Sequence, residues 1–143
     1  MNNMTKIWIT TAAMIVCFSA CKKENPNSTS IIGRWELKNH NIISNGQLAY
    51  NFNYQDGNSY IYHFGSDKTC MLYNSEDSIY AHGSYSLDSN RLLIHLIIDQ
   101  SNLETVGTSN CVISSTTLTL SFSGNDMAGE YTETFIYNRL SYR

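Results

Sequence analysis

The sequence predicts an all-β domain: an antiparallel up-and-down meander of about eight to ten strands, closed into a barrel and preceded by a signal-peptide helix. Three observations predict it. From Ile31 onward apolar residues recur at period two in short runs bounded by Gly, Asn, Asp and Ser, and no longer window sustains helical spacing. The composition, with ten Tyr, one Pro, 12% aromatic and 15% charged residues, favours strands and polar turns over helices. The candidate strands follow one another through short turns, and such a meander removes its exposed edges by closing rather than by lying open as a sandwich.

The chain has 143 residues. Behind a targeting segment that leaves one domain of about 110 residues, enough for a single core. Residues 1–6 carry one positive charge at Lys6, and residues 7–18 form an apolar run too short to cross a bilayer comfortably, the pattern of a signal-peptide helix. The run ends in Phe18-Ser19-Ala20-Cys21. These residues resemble the bacterial lipobox, whose cysteine is lipidated and becomes the new N-terminus; Phe18 stands where Leu is commoner. The resemblance implies a lipoprotein signal peptide over residues 1–20 and a lipid on Cys21, the alternative being an ordinary signal peptide and an unrelated cysteine. Several acyl chains anchor stably, since each buried methylene contributes about 0.8 kcal/mol.

Residues 22–30 are polar, lack apolar periodicity and contain Pro26, so they form a tether. Fully extended it reaches about 30 Å. The expected partner is the membrane, through the lipid on Cys21, in a bacterial cell envelope. Lys22 occupies the place of the Asp that holds such proteins at the inner membrane, which points to the outer membrane. Removing residues 1–20 leaves eight Lys plus Arg against twelve Asp plus Glu, a charge of −4, with no basic patch for nucleic acid.

The domain spans residues 31–143. Its first strand covers residues 31–38, with Gly33, Trp35 and Leu37 on one face. Residues 39–57 contain Asn45-Gly46 between apolar residues, the strongest short-range hairpin signal, and either extend that strand into a hairpin or loop over one end. Residues 59–64 put Tyr60, Tyr62 and Phe64 on one face, ahead of a turn at 65–69 and a strand over 69–74. A three-residue loop ending in a left-handed residue sets Phe64 against Cys70 and Tyr62 against Leu72; a two-residue loop would flip the second strand.

Strands over 80–87 and 91–98 pair Asp88 with Arg91, which brings Leu87 to Leu92, Tyr85 to Ile94 and Gly83 to Leu96. Strands over 104–113 and 116–122 follow, the second with Leu118, Leu120 and Phe122 in phase. Residues 130–140 complete the series with Tyr131, Phe135, Tyr137 and Arg139 in phase. In a closed meander the first and last strands are neighbours, so Arg139 can lie across the Trp35 indole beside Gly33. An interior of eight strands holds packed side chains or one small ligand.

Candidate chemistry is sparse. His63, His82 and His95 point away from the face of Tyr60, Tyr85 and Ile94, and no His or Cys stands at metal-ligand spacing, so no metal and no cofactor are expected. Cys70 and Cys111 sit on strands separated by at least two others, whereas a disulfide needs Cα atoms within about 7 Å. Two buried free thiols are expected, with a disulfide as the alternative. No nucleophile elbow, zinc helix, phosphate loop or Cys-x-x-Cys is present, and Glu76-Asp77 reads as a solvated turn, so no enzymatic activity is expected.

Taken in order, Gly33-Arg34-Trp35, Tyr62-His63-Phe64-Gly65-Ser66-Asp67, Gly83-Ser84-Tyr85-Ser86-Leu87, Thr116-Thr117-Leu118-Thr119-Leu120 and Arg139 resemble the lipocalin-like lipoproteins of bacterial envelopes. The resemblance covers residues 31–140. It departs at Lys68, where the hairpin pattern usually has Gly, and in ending at the last strand without a flanking helix. It implies a lipocalin-like barrel, a structural role for Gly33, Trp35 and Arg139, and a non-catalytic binding role. Tyr60, Tyr62, Phe64, Tyr85, Phe122, Phe135 and Tyr137 are the candidate pocket for a small amphipathic or hydrophobic ligand; they fill a solid core equally well. A solid barrel would instead serve as a structural or protein-interaction lipoprotein of the envelope.

Overall fold

The computed structural model describes residues 29–141. The signal-peptide helix, Cys21 and most of the tether lie outside the described residues. Within them the chain forms β1 (Gly33–Ser44), β2 (Gln47–Asn53), β3 (Ile61–Phe64), β4 (Thr69–Tyr73), β5 (Ile79–Asp88), β6 (Arg91–Ile98), β7 (Leu103–Ile113), β8 (Thr117–Asp126) and β9 (Gly129–Arg139). All pairings are antiparallel, and β1 pairs with β9. That pairing closes β1 and β3 to β9 into an eight-stranded up-and-down barrel. β2 is a ninth strand outside the ring, because β3 takes residues 33–36 of β1 and β2 takes residues 39–44.

The barrel has two unlike ends. The near end carries the start of β1, the β3–β4, β5–β6 and β7–β8 turns and the end of β9, and the chain enters and leaves there. The distal end carries the β1–β2 hairpin and the β4–β5, β6–β7 and β8–β9 turns. Trp35, Phe64, Cys70, Leu92, Leu118 and Leu120 are fully buried in the near half. Each large side chain removed from water contributes about 1.5–3 kcal/mol, so this half holds the ring together. At the distal end Leu48, Tyr50, Phe52, Tyr60, Leu103 and Met127 are exposed.

Turn chemistry sets the registers. Lys68 adopts the left-handed region (φ 70°), the Gly65 amide donates to the Thr69 carbonyl at 2.9 Å, and Phe64 pairs with Cys70 and Tyr62 with Leu72. The three-residue loop is therefore made without the usual Gly. Asp88 pairs with Arg91, Leu87 with Leu92, Tyr85 with Ile94 and Gly83 with Leu96, as the alternation requires. A Cβ at Gly83 would come within 1.9 Å of the His95 carbonyl oxygen, so the close approach of β5 to β6 admits only glycine there.

The first strand differs from the sequence expectation. It runs on to Ser44, and Asn45 (φ 50°) and Gly46 (φ 77°) turn it into a hairpin with β2, which settles residues 39–53 in favour of the hairpin. A β-bulge between Leu37 and Asn39 leaves Lys38 unpaired in the β9 ladder. Because the side-chain period is two, the extra residue turns His40 and Ile42 to the inner face, in phase with Trp35 and Leu37 on either side of the bulge. Tyr60 lies before β3 rather than on it, exposed and against Tyr80 at 5.8 Å between ring centroids.

Residues 54–60 cross the outer face of β1 and are fastened by Glu36. This carboxylate is buried, accepts from the Lys38 ammonium at 2.6 Å and from the Gly57 amide at 2.6 Å, and takes the Ser59 hydroxyl at 3.4 Å. Lys38 also bonds Asp56 at 2.6 Å. Burial acts to lower the Lys38 pKa, but the hydrogen bonds to Asp56 and Glu36 outweigh it and leave it raised. A buried charge is tolerable when so satisfied.

Candidate ligand-binding site

Residues 33–36 and 139 form the near-end clasp. Trp35 and Arg139 are cross-strand partners, and the guanidinium carbon lies 4.2 Å from the Trp35 ring centroid. Arg139 also donates to the Ile32 carbonyl at 3.1 Å and to the Ser30 carbonyl, while Trp35 Nε1 donates to the Ile31 carbonyl at 2.7 Å. Gly33 takes φ 130°, which L side chains rarely adopt, where the incoming segment bends into β1. Every polar atom named here is engaged with the chain's own backbone, so the clasp draws residues 30–32 over the near end.

The seven candidate pocket residues divide into two groups and an outlier. Tyr85, Phe64, Tyr62 and Tyr137 make a continuous chain of rings through the core, with centroid distances of 5.0, 5.3 and 5.6 Å. The Tyr85 hydroxyl donates to the Gly65 carbonyl at 2.8 Å. Burial pushes the Tyr62 and Tyr137 phenols well above their ordinary pKa, so both are neutral hydroxyls in the core. Phe122 and Phe135 instead meet edge to face at 5.9 Å towards the distal end. Tyr60 stands apart on the rim.

The distal group gains residues that the sequence pattern did not single out. His40 stacks on Phe135 at 4.3 Å, meets Tyr50 at 5.1 Å and bonds Glu133 through Nε2 at 2.7 Å. Glu133 is the ladder partner of both Ile42 and Phe122. A carboxylate and an imidazole thus sit on the inner face among aromatic rings, with the side chains 31% and 17% exposed. The bulge at Lys38 that brings His40 inward has no sequence signature of its own. The alternation Tyr131, Glu133, Phe135, Tyr137 contains Glu133, which the in-phase set read from the sequence passes over.

The wall beside this group is incomplete. β7 and β8 pair only over residues 110–113 and 118–121. Beyond Asn110 and Ser121, residues 103–109 of β7 and 122–126 of β8 run on without a ladder between them among the described residues. Ser109 lies on the inner face at this point, 4% exposed, and its hydroxyl has no hydrogen-bond partner among the described residues. A separate open depression on the β8–β9 hairpin is lined by Ser123, Gly124, Asn125, Glu130, Tyr131 and Thr132.

The other titratable groups lie elsewhere. His82 and His95 face outward, His82 bonding Asp99 at 2.6 Å and His95 Nε2 standing 2.5 Å from a Glu104 carboxylate oxygen, and His63 lies in the outward register beside Arg34 and Met71. Cys70 and Cys111 are buried free thiols, and burial pushes their pKa values up to about 12 and about 11. Among the described residues no three His, Cys, Asp or Glu side chains are grouped to hold a metal ion.

Fold and site together define a small closed β-barrel with a sealed near end and an aromatic, partly open distal end. No protein-family model matches the chain, and no curated protein matches it either.

Proposed function

We propose that this chain is a lipid-anchored bacterial envelope protein whose lipocalin-like barrel is non-catalytic and binds a small amphipathic or hydrophobic ligand at its distal end. The observation that carries the reading is the inner-face cluster of His40, Glu133, Phe135, Phe122 and Tyr50, placed opposite the end where the chain enters. Pockets for amphipathic molecules combine apolar walls with a few fixed polar groups, and this cluster has both. A tether leading from Cys21 would reach the barrel at its near end and leave the distal end facing away from the outer membrane surface. In a thermal-shift screen of fatty acids, haem and glycans, a ligand at 100 times its dissociation constant adds about 2.7 kcal/mol of stability. Stabilisation by a ligand, lost on Phe135→Ala, supports binding at this end; no shift with any compound contradicts it. Anchoring is tested separately: Cys21→Ala moves the protein from the membrane to the soluble fraction, and unchanged fractionation refutes lipidation there.

A second reading is a structural or protein-interaction lipoprotein. It is favoured by the free edge of β2, which exposes Leu48, Tyr50 and Phe52, since an unpaired strand edge is a template for another chain. Leu48→Lys, which sets a charge on this edge away from the His40 cluster, would abolish a partner's binding and leave ligand-induced shifts intact.

A further inference from the structure

We propose that the cleft where β7 parts from β8 takes an organic amine with an apolar body, with Glu133 as counter-ion and the Ser109 hydroxyl as a second hydrogen-bonding group. The inference rests on the ligand-binding reading above and names the chemistry of its ligand.

The cleft has a built interior. Continuing the β7–β8 register past Asn110 and Ser121 would set Ser109 opposite Phe122, whose partner on β9 is Glu133. Ser109 and Glu133 are therefore two strand positions apart, about 10 Å at ordinary strand spacing. Between them the inward residue is Phe122, whose ring edge lies 3.9 Å from where a Cβ on Gly107 would stand, an ordinary van der Waals contact. A ligand's ring or short chain would take the place of the Phe122 ring, turned aside where β7 no longer pairs with β8. A buried hydroxyl left without a partner is costly, and a ligand's polar group would satisfy it.

Charge selects the class of head group. The Glu133 carboxylate is held by His40 and surrounded by Phe122, Phe135 and, through His40, Tyr50. An acid beside aromatic faces favours an ammonium, which gains both the ion pair and cation-π attraction. Asp56, Asp99, Asp126 and Glu130 lie in or beside the distal turns, whereas Lys38 is bonded to Glu36 and Asp56. The resulting negative field draws cations towards this end and repels anions such as fatty acids.

The test is calorimetric titration of the full chain in lipid nanodiscs with 2-phenylethylamine, 2-phenylethanol and 3-phenylpropanoate. Saturable one-to-one binding of the amine is expected, at least tenfold tighter than the alcohol, with no detectable binding of the acid. Glu133→Gln, which keeps the side chain's shape, should erase the preference for amine over alcohol. Gly107→Leu, which would wedge a side chain against the Phe122 ring, should abolish binding of both, while the outward His82→Ala should change nothing. Equal binding of amine and alcohol, or an amine preference that survives Glu133→Gln, overturns the inference. If a fatty acid or haem stabilises the protein and the amine does not bind, this inference falls and the ligand-binding reading stands; if nothing binds, both fall.

Discussion

Individual side chains at the near end are held by contacts that leave little freedom. Trp35 has no exposed surface, carries Arg139 on its ring and donates to the Ile31 carbonyl. Trp35→Ala should cost about 3–5 kcal/mol in urea unfolding, as large-to-small changes in packed cores do; a near-neutral result would contradict the clasp. The buried thiols and phenols make a pH prediction. Cys70, Cys111, Tyr62 and Tyr137 all have folded pKa values raised by burial, so the unfolded chain releases their protons first. Their contribution is complete below about pH 8.5, the pKa of a free thiol, and is lost as pH rises through the raised values. Unfolding free energy should decline from about pH 9 upwards, and less steeply in Cys70→Ala. A flat profile over that range would contradict the burial of these groups.

Among the elements, β1 does most to set the architecture, because it pairs with β2, β3 and β9. Its bulge at Lys38 and the carboxylate of Glu36 act together, one re-aiming the distal half and the other fastening residues 54–60 across its outer face. Glu36→Ala should destabilise the protein by about 1.5–3 kcal/mol, the range for hydrogen bonds to charged groups, and speed exchange of the Gly57 amide. Unchanged Gly57 exchange would show that the loop is held by other contacts. The short hairpins were legible in the sequence because alternation and turn residues agree: Asp88 to Arg91 and Phe64 to Cys70 follow from them directly. The bulge was not legible, since no local residue type demands one, and with it went His40. Ser109 was hidden for another reason: in the pattern it is an ordinary strand serine, and only the parting of β7 from β8 makes its hydroxyl unusual.

The whole molecule is a barrel of two halves with different tasks. The near half is a packed ring with the largest buried side chains, and the distal half spreads into β2, β1, β9 and β8 on one side and the turns of β4 to β7 on the other. Closure was readable from the meander, because strands in sequence order leave two edges that only the first and last can join. The opening was not, because it depends on how far two neighbouring strands stay paired. Proton exchange along β7 tests that opening most directly. The Cys111 amide donates towards β6, at Asn90, so alternation turns the amides of Asn110, Thr108 and Val106 towards β8. Asn110 faces a ladder partner, Ser121, and should exchange slowly; Thr108 and Val106 face the cleft and should exchange orders of magnitude faster. Equal, slow exchange at all three positions would mean that β7 and β8 pair along their full length, and would remove the site.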